Sequence, residues 1–213
     1  MQTYQKDFIA FSLQQSALCF GDFTLKSGRQ SPYFFNTGLF NDGRGIAKLG
    51  QAYAAAIIDS GIEFDMLFGP AYKGIPLAVS CSTALAEHHD RNVPYAFNRK
   101  EAKDHGEGGT IVGAELKGKI LIIDDVISAG TSVGESIEII NAAKASPAGV
   151  FIALDRQERG QDKESAITMV EQRYGIPVGN IVALDDLVSY LNDHGDMGEQ
   201  LAAIQQYRQQ WGC

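Results

Sequence analysis

Residues 120–136 read ILIIDDVISAGTSVGES, and this stretch indicates the fold class. Four apolar residues, 120–123, lead directly into the adjacent aspartates Asp124 and Asp125. A continuous apolar run is typical of a strand that is covered on both faces, as in a parallel sheet with crossover helices. Small residues follow the aspartates at 128–132. The stretch therefore predicts a buried strand, an acidic turn and a small-residue loop, in that order.

A helix is expected to begin directly after the small-residue loop. Ser132 and Glu135 fit the S-x-x-E capping box, and Val133, Ile137 and Ile140 give the helix one buried face. A helix N-terminus with free amides and hydroxyls is an anion site that suits a phosphate group. The spacing fits neither a Walker phosphate loop nor a G-x-G-x-x-G dinucleotide motif.

The position of the two aspartates points to a ligand. Ligands of open α/β sheets bind beyond the carboxyl ends of the strands, and successive side chains of a strand point to opposite sides. One carboxylate is thus expected to face a ligand, and the other the neighbouring backbone or a hydrated cation. Together with the phosphate cradle, this predicts a site for a phosphorylated ribose. A capped helix after a solvated turn would explain each element alone, but explains their order less well.

From residue 62 onward, short apolar runs alternate with helical patterns. Strands are predicted at 65–68, 93–97, 119–123, 149–154 and 181–184, and helices at 4–17, 47–60, 76–89, 133–145, 165–174 and 199–211. The alternation predicts an α/β fold with a mainly parallel five-stranded sheet flanked by helices. We expect residues 1–60 to supply an N-terminal helix and hairpin of a small hood subdomain. Residues 61–213 are expected to form the α/β core with a C-terminal helix, in one compact unit overall.

Composition limits the class of partner. The 213 residues carry a formal net charge of −8, with a pI of about 5.0, which disfavours a nucleic-acid binder. The three cysteines, Cys19, Cys81 and Cys213, are too far apart to predict a zinc site or a disulfide framework. No stretch approaches the roughly 20 apolar residues of a membrane span, and the N-terminus lacks a secretory apolar region. We therefore expect a reduced, cytoplasmic protein without membrane contact.

Two further segments carry basic residues next to glycines. FGPAYKGIPL (68–77) places Lys73 in a strand-to-helix loop. Such a loop suits a diphosphate, although a plain turn has the same pattern. RKEAKDHGEGG (99–109) is typical either of a solvated loop or of a lid that hinges on its glycines. Its basic residues and histidine are Arg99, Lys100, Lys103 and His105.

Aromatic and basic residues elsewhere leave two interpretations open. Of the adjacent Phe34 and Phe35, one is expected to face the core, and the pair could also form a wall for a flat base. Arg156 follows a predicted strand at the same sheet edge as the aspartates. It could pair with a ligand carboxylate, or it could be an unpaired surface residue.

ILIIDDVISAGTS resembles the signature of the type I phosphoribosyltransferases, which bind 5-phosphoribosyl 1-diphosphate (PRPP). FTLKSGRQSPYFFNTG, FGPAYKGIPL and RKEAKDHGEGG extend the resemblance over essentially the whole chain, to the dimeric bacterial branch that acts on orotate. One departure is Ser128, where the family commonly has threonine. Because serine keeps the hydroxyl, binding is expected to survive.

The resemblance implies magnesium-dependent transfer of the 5-phosphoribosyl group from PRPP to N1 of orotate, which gives orotidine 5′-monophosphate and pyrophosphate in pyrimidine (UMP) biosynthesis. Lys103 and Asp125 are the implied catalytic residues. The implied PRPP-binding residues are Lys26, Tyr72, Lys73, Arg99, Lys100, Lys103, His105, Asp124, Asp125, Val126, Ile127, Ser128, Ala129, Gly130, Thr131 and Ser132. The implied orotate-binding residues are Phe34, Phe35, Ser128 and Arg156.

The resemblance also implies how the metal and a second subunit take part. Magnesium would be held mainly through PRPP, with water linking it to Asp124 and Asp125 rather than direct protein ligands. The chain would form a homodimer with shared sites, in which Arg99, Lys103 and His105 act in trans and Lys100 in cis. The alternatives are a purine-type phosphoribosyltransferase and a non-catalytic PRPP-sensing regulator. The net charge disfavours the regulator, because such a protein usually presents a basic surface to nucleic acid.

Overall fold

The computed structural model describes residues 1–25, 27–103, 109–127, 130–160, 164–195 and 197–213. These residues form a six-stranded sheet and a separate two-stranded hairpin, with helices packed around them. In chain order the elements are α1 (Thr3–Gln14), β1 (Leu18–Thr24), β2 (Gln30–Phe35), a 3₁₀ turn (Thr37–Leu39), α2 (Gly43–Ser60), β3 (Met66–Gly69), α3 (Gly74–His89), β4 (Tyr95–Lys103), β5 (Gly109–Gly113), β6 (Lys119–Ile123), α4 (Thr131–Ala142), β7 (Ser146–Asp155), α5 (Ala166–Tyr174), β8 (Val178–Ala183), α6 (Leu184–Asp193) and α7 (Gly198–Trp211).

The large sheet has the strand order β5-β4-β3-β6-β7-β8. Five neighbouring strands of this sheet are parallel, namely β4, β3, β6, β7 and β8, which confirms the predicted parallel core. The predicted count of five strands is wrong by one, because β5 adds an antiparallel edge strand next to β4. The predicted loop at 99–109 is also corrected, since β4 continues to Lys103. β4 is polar beyond Phe97, and β5 has only two apolar residues between glycines, so no extended apolar pattern marks either segment.

The central strand β6 explains why the sheet is covered on both faces. Its alternate residues enter two separate apolar clusters. Leu121 packs with residues of α2 and α3, whereas Ile120 packs with residues of α4 and α5. Both side chains are fully buried. Burial of one such side chain stabilises the fold by about 1.5–3 kcal/mol, so this strand is fixed in place.

The helix after β6 begins differently from the prediction. It starts at Thr131, preceded by Gly130 in the left-handed conformation with φ 71°. The predicted capping box is wrong, because the Ser132 hydroxyl donates to Asp124 Oδ2 at 2.9 Å instead of capping the helix. Further along the chain, Leu184 begins the unpredicted helix α6 rather than ending a strand.

The N-terminal elements carry the hairpin and join the main core. In the antiparallel β1–β2 hairpin, Phe35 lies opposite Leu18. Phe8 of α1 and Tyr53 of α2 belong to the same apolar cluster as Phe151 of β7. The division of the chain near residue 60 stays a prediction. Among the described residues, no helix is long and apolar enough to cross a membrane.

Candidate active site

The two aspartates lie at the carboxyl end of β6, and their exposure is only 8% and 9%. Asp124 Oδ1 accepts the amide N–H of Asp125, and its Oδ2 accepts the hydroxyl of Ser132, both at 2.9 Å. Asp125 Oδ1 accepts the amide N–H of Val126 at 2.9 Å. Its Oδ2 lies 2.7 Å from Nζ of Lys73. The two carboxylates thus have different partners, one at the start of α4 and one in the loop after β3.

The backbone beneath the carboxylates is also fully bonded. The buried Tyr53 hydroxyl donates to the carbonyl of Asp124 at 2.7 Å. The amide of Asp124 donates to the Phe151 carbonyl at 3.0 Å, and the Ala153 amide donates to the Asp125 carbonyl at 2.9 Å. These bonds fix the position of the acidic pair without a ligand.

Burial raises the pKa of the Asp124 carboxyl to about 6. The amide of Asp125 donates a hydrogen bond that opposes this rise, and the charge of Asp125 adds to it. The Ser132 hydroxyl and the charge of Lys73 oppose it more weakly. A ligand that brings hydroxyl donors or positive charge would favour the ionised form.

The loop after β3 reaches the acidic pair because it passes very close to β6. A Cβ at Gly74 would lie 2.9 Å from the carbonyl oxygen of Ile123, so a larger residue would push the loop away. On its other side, the Ala71 amide donates to Asn98 Oδ1 at 2.8 Å. These contacts place Lys73, the residue directly before α3, against Asp125.

The side chains around this loop present cations to solvent. The Lys73 side chain is 58% exposed and Tyr72 is 68% exposed. Nζ of Lys100 lies 5.3 Å from the centre of the Tyr72 ring. Nη1 of Arg99 is buried and finds no hydrogen-bond partner among the residues that the structure describes. An unpaired buried guanidinium nitrogen is costly, and a partner from outside the chain can reach Nη1 only if neighbouring side chains move.

The start of α4 offers a place for a phosphate. No side chain of the described residues caps this helix, and the first turn of a helix leaves its amides without partners inside the helix. Gly130, Thr131 and Ser132 supply this turn. Val126 and Ile127 are partly buried, and their side chains pack on opposite faces of the sheet.

The adjacent phenylalanines of β2 face different surroundings, as predicted. Phe35 packs edge-on against Phe8, with 6.1 Å between ring centres. Phe34 is 40% exposed and stacks on Phe23 at 5.5 Å. An exposed aromatic face is available beside the hairpin, although its role in base binding stays a prediction.

Arg156 follows β7 and is held by its own chain. Its Nε and Nη2 lie 2.8 and 2.7 Å from Oε1 of Glu158. Nη2 also donates to the Ser31 hydroxyl at 3.0 Å, and the guanidinium lies 4.1 Å from the centre of the Tyr33 ring. Arg156 is therefore not an unpaired surface residue.

Two residues near the site have no clear signal in the sequence, and several predicted site residues lie outside the described ranges. Thr37 was missed, and its hydroxyl lies 3.4 Å from Asp125 Oδ2. Glu158 was also missed, and only its position two residues after Arg156 could have indicated it. The predicted site residues Lys26, His105, Ser128 and Ala129 lie outside the described residues, as does the side chain of Lys103.

The structure brings together one part of the predicted site directly. Hydrogen bonds join four of its residues, Asp124, Asp125, Ser132 and Lys73. Phe34 instead stacks on Phe23 within the hairpin, and Arg156 binds Glu158. In the part of the chain that is described, no three His, Cys, Asp or Glu side chains are grouped to hold a metal ion.

Comparison with known proteins adds the family to this geometry. Residues 37–187 match the phosphoribosyl transferase domain family. The chain is similar to the orotate phosphoribosyltransferase of Salmonella typhi, with 60% identity over 212 residues and 100% of both chains covered. It is also similar to the crystal structure of the orotate phosphoribosyltransferase of Francisella tularensis, with 43% identity and a TM-score of 0.87. That match covers 97% of this chain and 100% of the other.

A third likeness concerns the fold alone. The structure of UMP synthase from Leishmania donovani is 24% identical, with a TM-score of 0.76. The match covers 97% of this chain and 42% of the longer protein. The arrangement of strands and helices is thus shared with a protein of low sequence identity.

Proposed function

The chain belongs to the orotate phosphoribosyltransferases of the phosphoribosyl transferase family, and we propose how its residues carry out that reaction. The enzyme transfers the 5-phosphoribosyl group from PRPP to N1 of orotate and releases orotidine 5′-monophosphate and pyrophosphate in pyrimidine biosynthesis. In the structure, the observation that supports this chemistry best is the meeting of Lys73 and the buried acidic pair beside the uncapped start of α4.

The acidic pair is proposed to hold the ribose. Asp124 and Asp125 would accept hydrogen bonds from its hydroxyls, and the N-terminus of α4 would bind the 5′-phosphate. No side chain needs to attack the sugar, because positive charge develops on the ribose as the bond to pyrophosphate breaks. Two fixed carboxylates near that charge would lower the barrier by electrostatic stabilisation.

Magnesium fits the donor set of this site as a cofactor that is held through the substrate. Mg²⁺ prefers oxygen ligands and usually combines one or two carboxylates with phosphates and water. Asp124 and Asp125 supply such carboxylates, and water would link them to the ion. When bound, the ion supplies positive charge that offsets the negative charge of the diphosphate.

Pyrophosphate is proposed to leave toward the cationic residues. Tyr72, Lys73 and Lys100 of one chain would bind it, together with Lys26. Arg99, Lys103 and His105 would come from the second chain of a homodimer. Lys103 would act when charge builds on the departing group.

Orotate is proposed to bind between the hairpin and the end of β7. Phe34 would offer its exposed ring to the base, and Phe35 would support the hairpin from the core, where it packs against Phe8. Ser128 would contact the base from the phosphate loop. Arg156 would pair with the orotate carboxylate through Nη1, since its hydrogen bonds to described residues use Nε and Nη2. Uracil and the purines lack this carboxylate, so the pair would select orotate.

We also propose that the enzyme works in the cytoplasm. All three cysteines are free, and Cys81 is buried. Free cysteines are typical of a reducing compartment. This supports the location that the sequence predicts, together with the small soluble substrates of the reaction.

The direct test mixes the protein with PRPP, magnesium and orotate and follows the ultraviolet absorbance of orotate. We expect an absorbance change that requires all three components, with pyrophosphate released in equal amount. Hypoxanthine and adenine serve as control bases and should give no pyrophosphate. Turnover of a purine in place of orotate would contradict the proposed selectivity.

A further inference from the structure

Glu158 occupies a position between the hairpin and the end of β7, close to the proposed base site. Its side chain is 11% exposed and is surrounded by donors. Oε1 accepts Nε of Arg156 at 2.8 Å and lies 3.4 Å from the Tyr33 hydroxyl. Oε2 lies 3.8 Å from Nη1 of Arg29. The carboxylate therefore connects two arginines that are far apart in the chain.

This arrangement restricts Arg156 to one orientation. Glu158 binds its Nε and Nη2, Ser31 accepts a second bond from Nη2, and the Tyr33 ring supports its face. A free arginine side chain samples many rotamers, and fixing one costs conformational entropy. Because folding already fixes the rotamer of Arg156, its side chain would lose little further conformational entropy when a carboxylate binds.

The cluster keeps a net positive charge even though it contains a carboxylate. Arg29 and Arg156 bring two positive charges, and Glu158 brings one negative charge. All three side chains are less than a fifth exposed, so their interactions are only weakly screened by solvent. Glu158 can therefore orient Arg156 without cancelling its attraction for a substrate carboxylate.

The C-terminal helix supports the same segment from behind. Glu158 forms an isolated antiparallel bridge with Gly212, and the Arg159 amide donates to the Trp211 carbonyl at 2.9 Å. Arg29 lies 4.5 Å from the centre of the Trp211 ring. The position of Glu158 is thus set by contacts on both sides, from the hairpin and from the end of α7.

We propose that Glu158 is a positioning residue for base selection, which holds Arg156 so that the guanidinium can bind the carboxylate of the base. This inference rests on the proposed role of Arg156 in orotate binding. It goes beyond that role, because Glu158 would control the affinity for the base without touching the substrate.

The test compares Glu158→Ala and Glu158→Gln with the parent enzyme. Glutamine keeps the shape and one acceptor oxygen, whereas alanine releases Arg156. For Glu158→Ala we expect the KM for orotate to rise about 10- to 100-fold, because a bond between charged groups is lost and Arg156 becomes free to move. Glu158→Gln should restore most of the affinity and leave a rise of about three- to tenfold. The KM for PRPP should stay within about twofold of the parent value for both variants, because neither change reaches the PRPP loops.

Glu63→Ala is a matched control, since it removes a glutamate from an ion pair with Lys119 at 3.1 Å. It should leave both KM values unchanged. Orotate binding by calorimetry should weaken in the same order as the KM values. An equal rise in KM for orotate and PRPP, or an unchanged KM for orotate in both folded variants, would overturn the inference.

Arg156→Ala separates this inference from the proposed function. If the parent enzyme converts orotate and Arg156→Ala loses orotate binding while Glu158→Gln and Glu158→Ala keep it, the inference about Glu158 fails alone. If Arg156→Ala leaves orotate binding unchanged, the proposed role of Arg156 fails and the inference fails with it. If Glu158→Ala does not fold, Glu158→Gln still decides the question through the split between the two KM values.

Discussion

The carboxylate end and the cationic end of the site differ in how many partners the chain itself provides. Every carboxylate oxygen of Asp124 and Asp125 has a hydrogen-bond donor or a lysine within 2.9 Å. The cationic end is more open, since Tyr72 is 68% exposed and the Lys73 side chain is 58% exposed. Nη1 of Arg99 is buried without a partner in the described part of the chain.

This difference indicates that the two ends of the site contribute to the reaction in different ways. Fixed carboxylates can stabilise developing charge without reorganising when the reaction occurs. The exposed ammonium groups of Lys73 and Lys100 can contact a diphosphate when it binds, and Lys73 would then divide its contacts between the diphosphate and Asp125. We therefore expect changes at the cationic end to affect the chemical step, and changes at the carboxylate end to affect both ribose binding and the stability of the free protein.

The largest effect is expected for Lys103→Ala. Charge builds on pyrophosphate mainly as the bond breaks, so kcat should fall about 100- to 1,000-fold while PRPP binding weakens only a few-fold. Steady-state kinetics with a separate measurement of PRPP affinity would test this. Lys117→Ala, at an exposed lysine after β5, is the control. A near-normal kcat would remove Lys103 from the proposed mechanism.

Asp125→Asn should have the next largest effect. It removes the negative charge that faces Lys73 and keeps the shape of the side chain. We expect kcat/KM for PRPP to fall about 100-fold, which corresponds to about 2.7 kcal/mol of lost transition-state stabilisation. Asp65→Asn is the control, because its carboxylate accepts the Lys119 amide at the opposite end of β6. An equal loss in both variants would contradict a specific role for Asp125.

Asp124→Asn should stabilise the ligand-free protein in a pH-dependent way. Burial raises the pKa of Asp124 from 3.8 to about 6, so its folded form retains a proton that the unfolded chain releases in this range. The parent protein therefore loses stability as the pH rises from about 4 to about 6, whereas the asparagine variant does not. Above this range the variant should be more stable by about 2 to 3 kcal/mol.

Denaturant unfolding at several pH values would measure this difference. Below about pH 4 the two proteins should have similar free energies of unfolding, because the carboxyl is neutral in both states of the parent. A stability difference that does not change with pH would show that the ionisation of Asp124 is not its cause. The same variant should bind PRPP more weakly, since ribose would lose an ionised acceptor.

The smallest effect is expected for Thr37→Val. Its hydroxyl donates a long hydrogen bond of 3.4 Å to Asp125, which has stronger partners. Loss of this bond should cost about 0.5 kcal/mol and raise the KM for PRPP about twofold. Thr37→Ser should restore the parent value. An effect as large as that of Asp125→Asn would show that Thr37 has a role beyond this contact.

The sequence predicts those parts of the molecule that depend on local patterns. The apolar run at 120–123 predicts the strand β6, and the structure confirms it. The two aspartates that follow the run lie at the carboxyl end of this strand, as predicted. The sequence does not predict β5, because its two apolar residues lie between glycines, and it does not predict the end of β4, because that end is polar. The two segments are strands because they pair with each other. Such pairing depends on the partner strand and leaves no apolar alternation to detect.

Tertiary contacts also replaced two local preferences. Ser132 and Glu135 match a capping box, but the Ser132 hydroxyl binds Asp124, eight residues away. The sequence predicts that Arg156 pairs with a ligand carboxylate or lies unpaired on the surface. In the structure it donates a hydrogen bond to Ser31, which is 125 residues away in the chain. A single sequence does not indicate these partners, because the first depends on the turn between β6 and α4 and the second on the packing of the hairpin against the end of β7.

A subunit-mixing experiment tests most directly whether the two ends of one site come from two chains. Lys103→Ala and Asp125→Asn proteins are exchanged into mixed dimers, each component being nearly inactive alone. If Lys103 acts in trans, each mixed dimer has one intact site, and random exchange should restore about a quarter of the parent activity. Lys103→Ala mixed with the double variant is the control and should stay inactive. No recovery after verified exchange would contradict the shared site.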